Sequence, residues 1–337
     1  MKINSRRWWL AGVIVLGTAA LASAQNAASN GDIEIVPVRG HIYLLVGAGA
    51  NITISVGTDG VFMVDAGLAN MADKVIAAVR QLGVDLRKDG QPVRAYPPPK
   101  PIRFLADTTI SPEHTGGNEK IAEAGKTFTG GNVAADLNSG FTNDDAAILA
   151  TDKALLRLVD AKMPGNGQPT DTYVKDVMKL SHFFNGEGIE LFHMPNATTD
   201  SDSIVYFRGS DVIATGDIFD MTSFPYIDLA KGGSIQGILA ALNRMDDLAE
   251  AEFRTEGGTL FIPGHGRFGD LADLAYYRDM CTIIRDRIQW MMKKNLSLEQ
   301  IKAAKPTEDW NGRFGNNPKW TPDMFVDAIY KGLSGKK

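Results

Sequence analysis

Two imidazoles and two carboxylates lie in short turns that directly follow apolar, β-type segments. Glu113 and His114 belong to the stretch 107–118 (DTTISPEHTGGN), and Asp217 and His265 lie in glycine-containing turns further along the chain. A glycine-rich turn at a strand end lets the backbone bend sharply and present one side chain into a cleft. Imidazole nitrogen and carboxylate oxygen are ligands that Zn²⁺ accepts in four-coordinate sites. Each residue alone is more often a hydrogen-bonded loop residue, but together the four favour a metal site.

The other three histidines have weaker contexts. His193 precedes Thr198 by five residues, inside a predicted strand. It could supply a further ligand, but a histidine with satisfied hydrogen bonds in the core or at a sheet edge is the favoured interpretation. His41 and His182 have no supporting partners and are interpreted as structural. Asp65 is predicted to brace the site loops through hydrogen bonds, as carboxylates behind metal-ligating histidines do.

Apolar segments separated by turns predict the strands that position these residues. Such segments occur over 33–38, 41–46, 51–56, 61–65 and 102–106, and again over 189–192, 203–207, 212–214 and 259–262. Helical spacing of apolar residues predicts one helix from Met71 to a stop at Gly83 and another over 235–248. Because strands, a helix and a site loop occur once in each half, we expect a sandwich of two mixed sheets with helices outside. The Gly-, Asn- and Thr-rich stretch 128–143 is predicted to be a long loop that could border the site.

The C-terminal region has a different pattern. Apolar side chains recur along one face of a predicted helix at Leu274, Tyr277, Cys281, Ile284, Ile288 and Met291. Ser297 and Gln300 form a capping box for a short helix, and Thr321-Pro322 predicts the start of a last one. The helical stripe indicates core packing, with Cys281 as a buried structural thiol. Residues 271–337 are therefore predicted to be a helical extension that packs on the preceding domain.

The first 24 residues are typical of a signal peptide. Lys2, Arg6 and Arg7 precede an apolar stretch over 8–21, and Ala-Ser-Ala at 22–24 offers a cleavage site before Gln25. The arginine pair fits both a twin-arginine signal and an ordinary secretory signal. A periplasmic or secreted protein is predicted, without a membrane anchor after cleavage, because no later stretch is long and apolar enough to span a bilayer.

Charge and cysteine content exclude several alternatives. The net charge is −5, and no basic run is present, which argues against nucleic acid as a partner. Solubility explains the acidity sufficiently. The single cysteine permits no intramolecular disulfide.

Several motifs resemble those of the metallo-β-lactamase superfamily. The stretch 107–118 resembles its Asn-Thr-His-x-His-x-Asp-His-x-Gly-Gly-Asn signature, and 195–202 (PNATTDSD) resembles its Pro-x-Ala-His-Thr-Asp-Gly-Asp loop. The turns at 215–217 (TGD) and 263–266 (PGHG) resemble its bridging-aspartate and final-histidine motifs, and 47–67 resembles its opening strands with their Asp-x-Gly. Because the motifs occur in the family's order, the chain is identified as a divergent member of this superfamily of metallo-hydrolases.

The resemblance implies an α+β fold, a four-layer αββα sandwich over roughly residues 31–270 with the site at one edge between the sheets. It also implies two metal positions. The three histidines of the first are replaced here by Thr109, Ser111 and Thr198, whose neutral hydroxyls are poor Zn²⁺ ligands.

The ligands of the second position are retained as Glu113 (in place of aspartate), His114, Asp217 and His265. We therefore expect one metal ion at most, Zn²⁺, Fe²⁺ or Mn²⁺, at the second position.

Two functions remain open at this point. The first is an exported hydrolase that uses one metal ion on a small-molecule substrate, with Asp217 or Glu113 as the general base. The second is a non-catalytic binding or structural protein that keeps the fold with a degenerate metal site. The loss of three histidines from one site is what relaxed selection for hydrolysis would leave.

Overall fold

The computed structural model describes residues 32–88, 101–127, 145–250 and 257–335. Within these residues the first β-sheet has seven strands, which neighbour one another in chain order. They are β1 (Glu34–Arg39), β2 (Ile42–Val46), β3 (Ile52–Gly57), β4 (Gly60–Val64), β5 (Ile102–Ala106), β6 (Ala147–Thr151) and β7 (Asp171–Tyr173). Strands β1 to β4 form an antiparallel meander, whereas β4 to β7 run parallel.

The second sheet has five strands within the described residues, in the order β12-β11-β10-β9-β8. They are β8 (Val177–Lys179), β9 (Ile189–His193), β10 (Ser203–Phe207), β11 (Val212–Gly216) and β12 (Leu260–Pro263). Only β11 and β12 are parallel to each other. Each sheet is therefore mixed, as the sequence predicted.

Helices cover the outer faces of both sheets. In chain order they are α1 (Ala72–Lys88), α2 (Pro112–Thr115), α3 (Asn118–Glu123), α4 (Asp152–Asp160), α5 (Ile235–Leu248), α6 (Leu271–Lys293), α7 (Leu298–Ala303), α8 (Glu308–Phe314) and α9 (Pro322–Ser334). The predicted capping box of α7 is present, and Thr321 caps α9 with Pro322 in its first turn.

Three apolar clusters hold the layers together. Between the sheets, the Phe62 ring meets Phe207 and Phe184 edge-on, with ring centroids 5.9 and 6.1 Å apart. On the outer face of the first sheet, α1 and α3 bury their apolar faces. On the outer face of the second sheet, α5 packs together with α6 to α9, and all six residues of the predicted helical stripe are buried there. The order of layers is thus helix, sheet, sheet, helix, which confirms the predicted αββα sandwich with a C-terminal helical region.

The structure corrects some of the predicted elements. Helix α1 continues past Gly83 to Lys88, because Leu86 one turn later packs on the same core as Val79 and Leu82. A glycine inside a helix costs only about 1 kcal/mol, which this packing offsets. The strands β6 to β8 and the helices α2, α3, α4 and α8 were not predicted. Strand β6 is an apolar run too short to reveal its period, and β7 and β8 have only three residues each.

The remaining predicted strands and the helix over 235–248 agree with the structure within two residues at each end. The predicted loop over 128–143 and the predicted signal peptide lie outside the described residues. No helix in the described part of the chain is long and apolar enough to cross a membrane.

Candidate metal centre

Two pairs of parallel strands end at the edge of the sandwich where the candidate ligands lie. In the first sheet the ends of β4 and β5 are paired, Val64 with Ala106, so that Asp65 and residues 107–118 follow directly. In the second sheet Gly216 is paired with Pro263, so that Asp217 and His265 follow. The Ser203 N–H donates to the Thr108 carbonyl at 2.8 Å and joins the two sheets at this edge.

Asp65 fixes the orientation of His114. Its backbone has a φ of 67°, a left-handed conformation that aspartate tolerates better than most residues. The carboxylate accepts hydrogen bonds from Thr108 N (2.9 Å) and Oγ1 (2.7 Å), and its Oδ2 lies 2.8 Å from His114 Nδ1. Because a carboxylate only accepts, Nδ1 carries the proton of that bond. Nε2 of the fully buried His114 is thereby directed toward the second sheet, and the predicted bracing role of Asp65 agrees with this geometry.

Three of the predicted ligands converge. His114 Nε2 is 2.9 Å and His265 Nε2 is 3.5 Å from Asp217 Oδ1, and the two imidazole rings are perpendicular with centroids 5.9 Å apart. One potential ligand atom from each of the three residues lies within 4.8 Å of the others. His114, Asp217 and His265 therefore form a cluster that could hold a metal ion.

Glu113, the fourth predicted ligand, lies at the rim of this cluster. Its Oε2 is 3.6 Å from His265 Nε2, and its side chain is 44% exposed to solvent. The three-residue cluster does not include it. Among the described residues Glu113 is thus placed beside the candidate metal position, with its carboxylate accessible to solvent.

The charges in the cluster stabilise one another. Burial alone would raise the pKa of Asp217, but His114 and, more weakly, His265 lower it to about 2. Burial alone would lower the pKa of His114, but Asp217 and Asp65 together raise it well above its ordinary value. Without a metal ion, His114 is therefore an imidazolium that donates to a carboxylate from both ring nitrogens.

Hydroxyls occupy the positions of the missing first-metal ligands. Thr109 and Thr198 are almost fully buried, and Ser111 caps α2 by accepting from the Glu113 N–H. Thr198 Oγ1 donates to Asp202 at 2.6 Å, so that this hydroxyl is used inside its own loop. These three hydroxyls are neither the nitrogen nor the charged oxygen ligands that a second divalent ion would need.

Asp202 organises the loop around Thr198. Its carboxylate also accepts from Thr199 N (2.8 Å) and Thr199 Oγ1 (2.8 Å). Burial raises the pKa of Asp202 to about 6, although these hydrogen bonds oppose the increase. The Asp202 carboxylate therefore shapes this loop.

The remaining polar residues singled out in the sequence have structural partners. His193 Nε2 contacts the Asp200 carbonyl at 2.9 Å, and His41 Nε2 contacts Glu187 at 2.7 Å. Among the described residues, the exposed His182 forms a hydrogen bond with the neighbouring Ser181 hydroxyl. None of the three histidines joins the cluster of potential ligands in the described residues.

Asn51 is a site residue that the sequence analysis missed. Its Nδ2 donates to the carbonyls of Pro263 (2.9 Å) and Gly266 (2.8 Å), which brackets the turn that carries His265. Its backbone N–H also donates to the Gly264 carbonyl at 2.8 Å. The sequence offered one signal for Asn51, an amide side chain at the start of an otherwise apolar predicted strand. Its hydrogen-bond partners could not be predicted, because they lie more than two hundred residues away in the sequence.

The segment after Asp217 is held by the C-terminal helices. The buried Tyr277 of α6 donates its hydroxyl to the Ser223 carbonyl at 3.1 Å, and Trp320 Nε1 donates to the Pro225 carbonyl at 3.2 Å. Phe224 stacks on Phe325 of α9, with ring centroids 5.0 Å apart. The helical extension therefore supports one wall of the site.

The donor set fits a single divalent transition metal ion. Two neutral imidazole nitrogens and one carboxylate oxygen form a ligand set that Zn²⁺ and Fe²⁺ both accept, and a carboxylate hydrogen-bonded behind a ligating histidine is their usual support. The bond between Asp65 and His114 provides that support. In the metal-free cluster a proton occupies His114 Nε2, and an entering ion must displace it.

Comparison with solved structures identifies the fold. The chain is similar to a double mutant of the sec-alkyl sulfatase PisA1, with a TM-score of 0.61 and 17% identity over 93% of this chain and 52% of that chain. It is similar to the stereoselective inverting sec-alkylsulfatase Pisa1 from Pseudomonas sp., with a TM-score of 0.58 and 17% identity over 92% and 51% of the two chains. A metallo-β-lactamase from Pontibacter korlensis has a TM-score of 0.51 and 12% identity over 74% of this chain and 99% of that chain.

No family model matches the sequence, and no curated protein matches it. The chain spans about half the length of the alkylsulfatase chains that it resembles. At these identities the likeness concerns the fold, and it agrees with the two mixed sheets, the outer helices and the position of the site. The chain therefore has the metallo-β-lactamase fold that the sequence motifs predicted.

Proposed function

We propose that this protein is a metal-dependent hydrolase that holds one divalent ion at His114, Asp217 and His265. The observation that carries the proposal is the convergence of their three ligand atoms within 4.8 Å at the edge between the sheets. A site with three protein ligands and a further open position is typical of catalytic zinc centres, whereas structural centres are closed by four protein ligands. The similar folds of an alkylsulfatase and a metallo-β-lactamase support hydrolysis of a small molecule.

Each residue has a separate role in this proposal. The bound ion would supply Lewis acidity, which polarises a substrate oxygen and makes water a stronger acid. Asp65 holds His114 in the tautomer that leaves Nε2 free of a proton when the ion is bound. Asp217, with its pKa lowered to about 2, stays ionised at neutral pH and is a weak base. Glu113 has the exposed carboxylate beside the cluster and is the better placed general base.

Metal content is the first test. Elemental analysis of the protein purified without a chelator is expected to find about one equivalent of zinc, iron or manganese. At a metal concentration a hundred times Kd, binding stabilises the native state by about 2.7 kcal/mol, so that chelation lowers the melting temperature. His265→Ala should abolish both effects, whereas His182→Ala, at an exposed histidine away from the cluster, should not. A wild-type protein that takes up none of Zn²⁺, Mn²⁺ and Fe²⁺ would refute the proposal.

Hydrolysis is the second test. The metal-loaded protein is to be assayed with ester, thioester, lactone, phosphodiester, β-lactam and sec-alkyl sulfate substrates. We expect turnover of one class that His265→Ala abolishes and Glu113→Gln reduces by a factor of 10² to 10⁴, the usual contribution of a general base. Glu119→Gln, at a nearby helix residue outside the cluster, is the control and should keep the wild-type rate.

A non-catalytic binding or structural role is the second candidate, and one observation favours it. Thr198, at the position of a first-metal histidine, donates its hydroxyl to Asp202 within its own loop and offers no nitrogen ligand. This role predicts a stable protein that binds no metal and turns over none of the substrate classes.

Export is part of the proposal and rests on the first 24 residues alone. We propose that they are removed as a signal peptide and that the mature protein is periplasmic or secreted. N-terminal sequencing of the exported protein is expected to find Gln25 at or near its start. An intact Met1 on soluble cytoplasmic protein would contradict this.

A further inference from the structure

The two candidate histidine ligands are supported unequally in the structure. His114 Nδ1 is bound to the Asp65 carboxylate, whereas His265 Nδ1 has no hydrogen bond to any described residue. A ligating histidine almost always donates its other ring N–H to an oxygen acceptor, which fixes both its tautomer and its orientation. An acceptor for His265 Nδ1 should therefore lie close by.

Asp220 lies in the segment that contacts the turn of His265, and one of its carboxylate oxygens has no donor among the described residues. Its Oδ1 accepts three hydrogen bonds from its own turn, from Thr222 N (2.6 Å), Thr222 Oγ1 (2.7 Å) and Ser223 N (3.2 Å). No described residue donates to Oδ2, although the residue is only 9% exposed. Three donors on one oxygen hold the plane of the carboxylate and leave the other oxygen available as an acceptor.

The backbone places this carboxylate against the turn that carries His265. The Met221 N–H donates to the His265 carbonyl at 3.2 Å, and Gly266 lies so close that a Cβ on it would be 2.9 Å from Met221 Cβ. Burial raises the pKa of Asp220 to about 6, and the attraction of His265 is the largest effect that opposes the increase.

We propose that Asp220 Oδ2 accepts the His265 Nδ1–H when a metal ion is bound and so positions His265 as Asp65 positions His114. The inference rests on the proposed metal site and adds a positioning residue to it. The three donors keep the Asp220 carboxylate in place, so that the His265 ring is the group that turns to make this contact. The metal centre then has one carboxylate behind each histidine, one from the segment after β4 and one from the segment after β11.

Asp220→Asn gives a sharp test because the three donors dictate how asparagine must sit. Its carbonyl oxygen has to replace Oδ1, since Thr222 and Ser223 donate there, and the NH₂ group then takes the place of Oδ2. An NH₂ group donates to His265 Nδ1 and favours the tautomer with its proton on Nε2. That tautomer cannot bind a metal through Nε2, the nitrogen that faces Asp217.

The experiment measures Zn²⁺ affinity of the metal-free, full chain by competition with a chromophoric chelator. Asp220→Asn is expected to weaken Zn²⁺ binding by roughly 10- to 100-fold. Asp228→Asn is the matched control, because Asp228 lies on the same segment and caps a turn through Lys231, outside the histidine cluster. Its Zn²⁺ affinity should equal that of the wild type.

Nitrogen-15 NMR of the His265 ring gives a readout that a merely structural role would not move. In the Zn²⁺-loaded wild type we expect the His265 Nδ1–H to be protected from solvent exchange, and in metal-free Asp220→Asn we expect the proton on Nε2. The wild-type spectrum alone decides the question if the variant does not fold. Free exchange of the Nδ1–H, or an Asp220→Asn affinity within twofold of the wild type, would overturn the inference.

The outcomes separate this inference from the proposed function. A wild-type chain that binds no Zn²⁺ overturns both. A wild type and an Asp220→Asn variant that bind Zn²⁺ equally well, with the same His265 tautomer, overturn only the role of Asp220.

Discussion

Replacement of Asp65 by asparagine tests whether the carboxylate behind His114 sets the state of the metal centre. Asparagine matches the shape of aspartate and tolerates the φ of 67° at this position, so that the change is confined to the charge and one hydrogen-bonding group. Asp65 Oδ1 accepts from the Thr108 N–H, so that the new NH₂ group must replace Oδ2 beside His114 Nδ1. There it donates to Nδ1, which must then be without a proton, so that the imidazole keeps only the proton on Nε2, which faces Asp217.

The expected magnitude follows from the burial of the pair. His114 is 0% and Asp65 3% exposed, so the variant loses a charge-assisted hydrogen bond inside the protein. Such a bond contributes roughly 1.5–3 kcal/mol to the free energy of unfolding. With an unfolding entropy of about 2.1 cal/mol/K per residue, a chain of this length should melt about 2–4 °C lower. The Zn²⁺ affinity should fall by roughly 10- to 100-fold, because the imidazole must change its tautomer before Nε2 can bind.

The assay combines thermal unfolding of the metal-free protein with Zn²⁺ titration in competition with a chelator. Asp200→Asn is the control, because it removes the charge from a partly exposed ion pair with Arg157, at 3.0 Å. That pair is worth at most about 1 kcal/mol, and its loss should leave the Zn²⁺ affinity unchanged. If Asp65→Asn behaves like this control in both measurements, the argument that Asp65 governs His114 is wrong.

Three further predictions concern pH and the C-terminal helices. Because the pKa of His114 is raised well above its ordinary value, Zn²⁺ must displace a proton from it at neutral pH. The Zn²⁺ affinity should therefore rise with pH, and calorimetry in two buffers should detect about one released proton. If no proton is released, His114 is not a ligand. The pKa of Asp202 is about 6 in the folded state and 3.8 in the unfolded state, so the protonated carboxyl stabilises the fold at low pH. This contribution to the free energy of unfolding is lost as pH rises from 3.8 to about 6, by about 1.4 kcal/mol for each unit between the two pKa values. Denaturant titrations should therefore show that the stability of Asp202→Asn, measured relative to the wild type, is higher at pH 7 than at pH 4. The same stability difference between variant and wild type at both pH values would contradict this. Tyr277→Phe leaves the buried Ser223 carbonyl without its donor and should lower the free energy of unfolding by roughly 1–3 kcal/mol, whereas an unchanged urea midpoint would show that this bond does not support the site wall.

Much of the fold was predictable because its signals are local. Apolar runs between glycine turns predicted most strands within two residues, and motif order predicted the αββα sandwich. The prediction was wrong where a local signal competes with tertiary packing. Gly83 predicts the end of a helix, but α1 continues to Lys88 because Leu86 packs on the same apolar cluster as the first sheet. The run 147–151 was missed because so short a run, four apolar residues and a threonine, does not reveal whether it will be strand or helix until a neighbouring strand pairs with it.

For the site, too, the sequence determined one part and the tertiary structure another. Residue type and motif position alone identified His114, Asp217 and His265 as possible ligands, and the hydroxyls at 109, 111 and 198 as the loss of a metal position. Only the tertiary structure decided which of them meet, since parallel strand ends bring Asp65, Asp217 and His265 together from three distant parts of the chain. The tertiary structure also shows that Glu113 lies at the rim of the cluster.

The protonation of His114 and the hydrogen bonds that hold the site likewise depend on the tertiary structure. Asn51, Asp220 and Tyr277 hold the site through partners far away in the sequence or through one free oxygen, and no local pattern marks them. The charge state of His114 depends on two carboxylates at 2.8 and 2.9 Å in a buried setting. Sequence thus determined which chemical groups the chain can offer. Folding decided their distances and their solvent exposure, and electrostatic and hydrogen-bond energies change steeply with both.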